Sequence, residues 1–225
     1  MLTWLRDAAG MRVPRVVAPL FDSMTWRLPE TEGPAAALTF DDGPTGATPE
    51  LLDALAASDA RATFFLLGEN VERRPDMAAA VVAAGHEVAN HSWSHVNAWR
   101  TPTRATVREF ARTDVLLTEV AGRPVRWVRP PYGKFTYPLI HWARRRGQRV
   151  ALWDTMPCDY SPRASVQRVV RGLSMTRPGS IVCLHDNARS AAVTPAALRE
   201  VLPRLRDEGY RFPTLSEAFA GETGD

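Results

Sequence analysis

Cysteine is scarce, long apolar runs are missing and neither sign of charge predominates, and each shortfall removes a class of protein. Only Cys158 and Cys183 occur in 225 residues, and neither sits in a CxxC or zinc-ribbon spacing. That excludes a disulfide scaffold and a structural zinc ribbon, and the pair reads as buried free thiols. No stretch approaches the roughly 20 apolar residues that cross a bilayer, so no membrane span is expected. The 28 basic and 25 acidic side chains are interspersed, and the formal net charge of +3 forms no stripe that would bind nucleic acid. The one tight basic cluster, Arg144, Arg145 and Arg146, falls at the end of a predicted helix, where cations complement the carbonyl-end dipole. In the N-terminal MLTWLRDAAGMRVPRVVAPLF, the short apolar stretches are broken by Arg6, Asp7, Arg12, Pro14 and Arg15, which is not a secretory pattern. Localisation is left open on this reading, cytoplasmic by default.

What is present is a core-forming chain. A hydrophobic content of 45% over this length can bury one large domain. Buried strands are expected at AAALTF (35–40), ATFFLLG (62–68), HEVANH (86–91), WVRP (127–130), RVALWD (149–154) and SIVCLH (180–185). Helices are expected between and after them, near 49–57 with Thr48 as its cap, 75–84, 103–120, 137–146, 165–175 and 195–208. Strands alternating with helices imply a parallel sheet covered on both faces, and six or seven such units suit an α/β barrel better than an open sheet. Residues 1–34 lie outside the alternation and are expected to form an N-terminal extension against a domain at 35–220.

The polar groups Asp41, Asp42, His91, His95, Arg129, Asp159 and His185 all fall at or just after the C-terminal ends of different predicted strands. Parallel α/β folds place their active sites on that face. His91 and His95 stand four apart in HSWSH, so one helical turn or a tight loop brings both imidazoles to one ion. Alone, such a pair is common. A strand-end carboxylate completes an open three-ligand site of the catalytic kind. A cation on one of two adjacent aspartates relieves their repulsion, which suggests Asp42 as ligand and Asp41 as general base on metal-bound water. In isolation Asp-Asp-Gly-Pro is an ordinary turn, and the coincidence of strand-end groups is what favours the chemical reading. Arg129 in RPPYG is a candidate bidentate partner for Asp41, and His185, supported by Asp159, is a candidate acid for a leaving amine.

In this order these segments resemble the NodB-homology polysaccharide deacetylases of carbohydrate esterase family 4. TFDDGP at 39–44 resembles the first family motif, HSWSH at 91–95 the second, RPPYG at 129–133 the third and LHD at 184–186 the fifth. The fourth, normally Asp-Trp, reads Asp159-Tyr160. The resemblance implies a distorted (β/α) barrel of about seven units. It implies a divalent ion, zinc or one such as cobalt, on Asp42, His91 and His95, with Asp41 as base, His185 as acid, Arg129 positioning Asp41 and Asp159 tuning His185. It further implies that the Tyr132 N–H serves the oxyanion and that Leu184 and Tyr160 line the acetyl pocket. The implied substrates are N-acetylglucosamine glycans of chitin or peptidoglycan type, with O-acetyl ester hydrolysis or a catalytically weak glycan-binding relative as alternatives. Tyr160 in place of the indole implies a wider or more polar acyl pocket. Trp93, Trp99, Phe135 and Tyr137 are the aromatics nearest the motifs that could stack on sugar rings, although core packing is the commoner role for any one of them. Two rival enzymes fit less well: a non-haem iron oxygenase calls for an all-β fold and a HxD spacing, and a metal-free amidohydrolase for a broken ligand triad.

Overall fold

The computed structural model describes residues 6–7, 10–11, 24–30 and 32–221. A short antiparallel pair, β1 (Arg6–Asp7) and β2 (Gly10–Met11), comes first. The main sheet has seven parallel strands: β3 (Met24–Thr25), β4 (Ala36–Asp41), β5 (Ala62–Leu66), β6 (Glu87–Asn90), β7 (Trp127–Val128), β8 (Arg149–Ala151) and β9 (Ser180–His185). Their spatial order is β3-β8-β7-β6-β5-β4-β9. The helices are α1 (Thr48–Ala56), α2 (Gly68–Arg73), α3 (Pro75–Ala83), α4 (Thr103–Ala121), α5 (Tyr137–Arg145), α6 (Val166–Leu173), α7 (Thr194–Asp207) and α8 (Leu215–Ala218). The sheet curls until its ends meet: Arg27, just past β3, bridges Ser180, and Thr155, past β8, bridges Val182. The result is a distorted parallel barrel, and an all-β oxygenase scaffold is ruled out.

Strand parity sorts the side chains. On β4, Ala36, Leu38 and Phe40 join the outer core beneath the helices, with Phe64 and Leu66 of β5 and Val182 and Leu184 of β9. The alternate residues Ala37, Phe65, Ala89, Trp127, Ala151 and Ile181 fill the barrel interior. Small residues there suit its narrow bore. At the strands' N-terminal end Leu215 and Phe219 plug the interior. Buried Glu87 secures that plug by accepting from Thr63 Oγ1 at 2.9 Å and from the N–H and hydroxyl of Ser216. The C-terminal end stays open for chemistry.

Several sequence expectations change in detail. The presumed N-terminal extension supplies β3, a barrel strand paired with β8. Thr48 does not cap α1: it is the first helical residue, Ala47 is the N-cap, and the Thr48 hydroxyl donates to buried Asp186 at 2.6 Å. The strand expected at 62–68 stops at Leu66, and Gly68 opens α2. The triple arginine behaves as expected, with Arg144 and Arg145 in the last turn of α5 and Arg146 paired with Asp114. Cys183 is buried, as expected, and Cys158 is only half-buried.

Gly68 is a close-packing position, since a Cβ there would lie 2.3 Å from Trp93 Cε3 and 2.6 Å from Thr113 Oγ1. Gly68→Ala should therefore destabilise the fold by about 1–3 kcal/mol in urea titration. An unchanged midpoint would mean that the HSWSH loop yields without cost.

Candidate active site

Four strand ends and the loops that follow them build the site. Asp41 ends β4 and is the register partner of both Phe65 and His185 on the flanking strands. Asp41 and His185 thus meet because their strands pair. The chain then turns at Asp42, whose φ of 77° is rare for a residue with a side chain, and Asn70 Nδ2 holds its carbonyl at 2.7 Å. His91 follows β6. His95 sits on a loop, at φ 59°, so the loop form of the pairing is the one realised. A single cleft of about 540 Å³ is lined by Asp41, Asp42, His91, His95, Tyr132, Tyr160 and His185, together with Trp153, Met156 and Cys183.

Within it the donors Asp42, His91 and His95 offer ligand atoms within 4.8 Å of one another. Asp42 Oδ1 lies 3.3 Å from His95 Nε2 and 3.7 Å from His91 Nε2, and this buried oxygen has no hydrogen-bond partner. His91 Nδ1 lies 2.7 Å from the Arg129 carbonyl, which can only accept, so Nδ1 carries a proton and the neutral tautomer has its lone pair on Nε2, facing Asp42. Burial, then the neighbouring His91, lowers the His95 pKa against the pull of Asp42 and Asp41. An orphaned carboxylate oxygen facing two imidazole nitrogens, one with its lone pair fixed, fits a divalent cation. Asn187, unnoticed in the sequence though it directly follows LHD, donates from Nδ2 to Asp42 Oδ2 at 2.9 Å.

Asp41 has different company. Its Oδ1 accepts from Arg129 Nη1 at 2.7 Å, while Oδ2 lies 3.5 Å from Cys183 Sγ. The Arg129 contact is single, where a bidentate pair was expected, because the other guanidinium nitrogens serve the backbone: Nε binds Ala151 O and Nη2 binds Leu152 O. Burial opposes ionisation of Asp41, but Arg129, with His91 and His185, outweighs it and holds the carboxyl below its ordinary range.

His185 Nδ1 lies 2.8 Å from Asp159 Oδ1. The second Asp159 oxygen accepts from the His185 N–H at 2.9 Å and the Thr194 hydroxyl at 2.7 Å, so this carboxylate is fully engaged. Burial alone would depress the imidazole, but Asp159, then Asp41 and Asp42, raise its pKa to about 9. Tyr160 packs on His185 with ring centroids 4.6 Å apart, and burial pushes its phenol up to about 12, so it stays neutral.

One expectation fails. Leu184 does not line the cleft: it is fully buried in the outer core, and its strand neighbour Cys183 takes the inward position. Trp93 is packed under Arg112, whose guanidinium lies 3.3 Å from its ring centroid, so it presents no free face there. Trp99 and Tyr137 are exposed, Phe135 is half-buried, and Tyr132 carries φ 60° and stacks edgewise on His95 at 4.6 Å.

This fold and site define a family. Residues 29–151 match the family model described as polysaccharide deacetylase, and the chain belongs to that family. It is 33% identical to a peptidoglycan-N-acetylglucosamine deacetylase of Bacillus cereus, spanning 86% of this chain and 92% of that one. It is 34% identical to a chitooligosaccharide deacetylase of Sinorhizobium fredii, spanning 83% and 93%. The solved Bc1960 peptidoglycan N-acetylglucosamine deacetylase is similar with a TM-score of 0.83 at 30% identity, over 88% of this chain and 93% of that chain.

If Asp42 is a ligand and Asn187 its support, calorimetric titration with zinc should show binding abolished in Asp42→Ala. In Asn187→Ala it should be weakened by about 10–100-fold. Full affinity in Asp42→Ala would remove this aspartate from the ligand set.

Proposed function

We propose that this protein is a metal-dependent hydrolase that removes N-acetyl groups from N-acetylglucosamine-containing glycans of chitin or peptidoglycan type. One observation carries the reading: a single cleft holds two separately buttressed proton-transfer groups, Asp41 on Arg129 and His185 on Asp159, beside the converging donors Asp42, His91 and His95. The two relatives named above are deacetylases of glycans. A divalent ion, zinc first and cobalt as a substitute, would be held by Asp42, His91 and His95 and would supply Lewis acidity toward water and the acyl carbonyl.

The chain's own groups then divide the proton traffic. Asp41 accepts the proton of the attacking water through Oδ2, since Oδ1 is committed to Arg129. His185, protonated on both nitrogens below about pH 9, gives its cleft-side proton to the departing amine. The Tyr132 N–H donates to the oxyanion. Tyr160, Cys183, Trp153 and Met156 surround the acyl group. A decayed, purely glycan-binding relative would have no use for Asp41 or His185, and both are present with their partners.

Asp41→Asn should keep its metal and lose turnover by roughly 10²–10⁴-fold in an acetate-release assay on N-acetylglucosamine oligomers. Loss of the metal instead would reverse the roles of the two aspartates. Wild type that carries metal yet frees no acetate from any N-acetyl or O-acetyl glycan would end the hydrolase reading.

His185 supplies a pH test. Its raised pKa keeps the acid form until the pH climbs through about 9, so kcat/KM should fall above that point. In Asp159→Asn the alkaline limb should move to lower pH, and a limb that stays in place would separate His185 from the proton donor.

A further inference from the structure

Lys134 is the only lysine in the chain; every other member of the 28 basic residues is arginine. It stands at the rim of the cleft. Its Nζ lies 5.3 Å from the Trp99 ring centroid and 5.6 Å from that of Tyr132, and Tyr132 packs directly on His95. No acid among the described residues pairs with this half-buried ammonium. Trp99 and Tyr132 are 67% and 60% exposed, values that ordinary core packing does not leave on large rings. Nor is Trp99 loose, because its Nε1 donates to the Phe135 carbonyl at 2.9 Å and fixes the ring edge. Arg189, exposed, adds a cation to the lining of the cleft.

Exposed rings are suited to the apolar faces of sugars. The ammonium answers a different need: held between two rings without an anionic partner, it would meet only uncharged hydroxyls and amide carbonyls on a neutral polymer. A carboxylate on the neighbouring sugar would complete it as a charge-assisted pair. We propose that Trp99, Tyr132 and Lys134 form a subsite for an anionic glycan strand, one in which the reacting N-acetyl sugar adjoins a sugar bearing a carboxylate, and that Lys134 discriminates such strands from neutral ones. This subsite rests on the hydrolase reading above and deepens it by choosing among its substrates.

The test compares peptide-free strands that alternate N-acetylglucosamine with a carboxylate-bearing N-acetyl sugar against the same strands with their carboxylates converted to methylamides. The readout is the ratio of kcat/KM for acetate release on acid and amide strands. That ratio should exceed one in the wild type, fall about fivefold in Lys134→Gln, as expected for a partly exposed ion pair, and largely return in Lys134→Arg. Raised salt should compress it in the wild type. Calorimetric binding of the two strands to the metal-loaded wild type gives the same comparison without relying on any variant's folding. Acetate from both strands with a ratio unchanged in Lys134→Gln overturns the subsite and leaves the hydrolase standing. No acetate from either strand, with metal bound, overturns the hydrolase and the subsite with it.

Discussion

The Arg129 guanidinium, fully buried, is the constraint on which the site depends. It gives Nε to Ala151 O, Nη2 to Leu152 O and Nη1 to both Thr39 Oγ1 and Asp41 Oδ1, and it lies 4.0 Å from the Phe65 ring centroid. Its backbone carbonyl accepts from His91, while its N–H donates to Asn90 O. One residue thereby sets the orientation of the proposed base and the tautomer of a proposed ligand. Removing one member of a buried pair of this kind typically costs about 3–5 kcal/mol, because a charge is left without a partner. The two aspartates can therefore differ in role despite adjacency: Asp41 is tied inward to Arg129, and Asp42 is turned outward to the imidazoles.

Around this anchor the backbone is held in uncommon conformations. Asp42, Ser92, His95, Tyr132 and Cys158 all have positive φ without being glycine. Each such residue costs on the order of 1–3 kcal/mol and persists only where its surroundings over-determine it. The surroundings are visible: Asn70 on the Asp42 carbonyl, Asn90 Oδ1 on the Ser92 N–H, and Asp186 on the hydroxyls of Thr45 and Thr48 behind the Asp-Asp turn. These polar clamps keep the donors aimed before any substrate arrives.

Much of this was legible in the sequence, and the failures share a cause. All six expected strands are present, as β4 to β9, and catalytic-type residues at strand ends located the open face. The two-residue β3 has no periodicity to read, and its place comes from pairing with β8. Motif position misled at LHD: it pointed to Leu184, but the strand alternation that puts His185 inward puts Cys183 inward as well. Thr48 has the residue type of a cap, yet a tertiary acceptor, Asp186, claims its hydroxyl. The single contact between Arg129 and Asp41 depends on two carbonyls at the end of β8, those of Ala151 and Leu152, which no local pattern announces.

In the proposed function the cation belongs to Asp42, His91 and His95, which leaves Asp41 free to move protons. A second donor group, Asp41, Cys183 and His185, lies in the same cleft with its atoms within 4.8 Å of one another. Burial, then Asp41, raises the Cys183 pKa well above its usual value, which disfavours a thiolate ligand. X-ray absorption fine structure of the zinc-loaded protein separates the two. Two imidazole nitrogens and oxygen donors with no sulfur shell are expected, whereas scattering from sulfur at about 2.3 Å would place the ion on Cys183 and contradict that assignment.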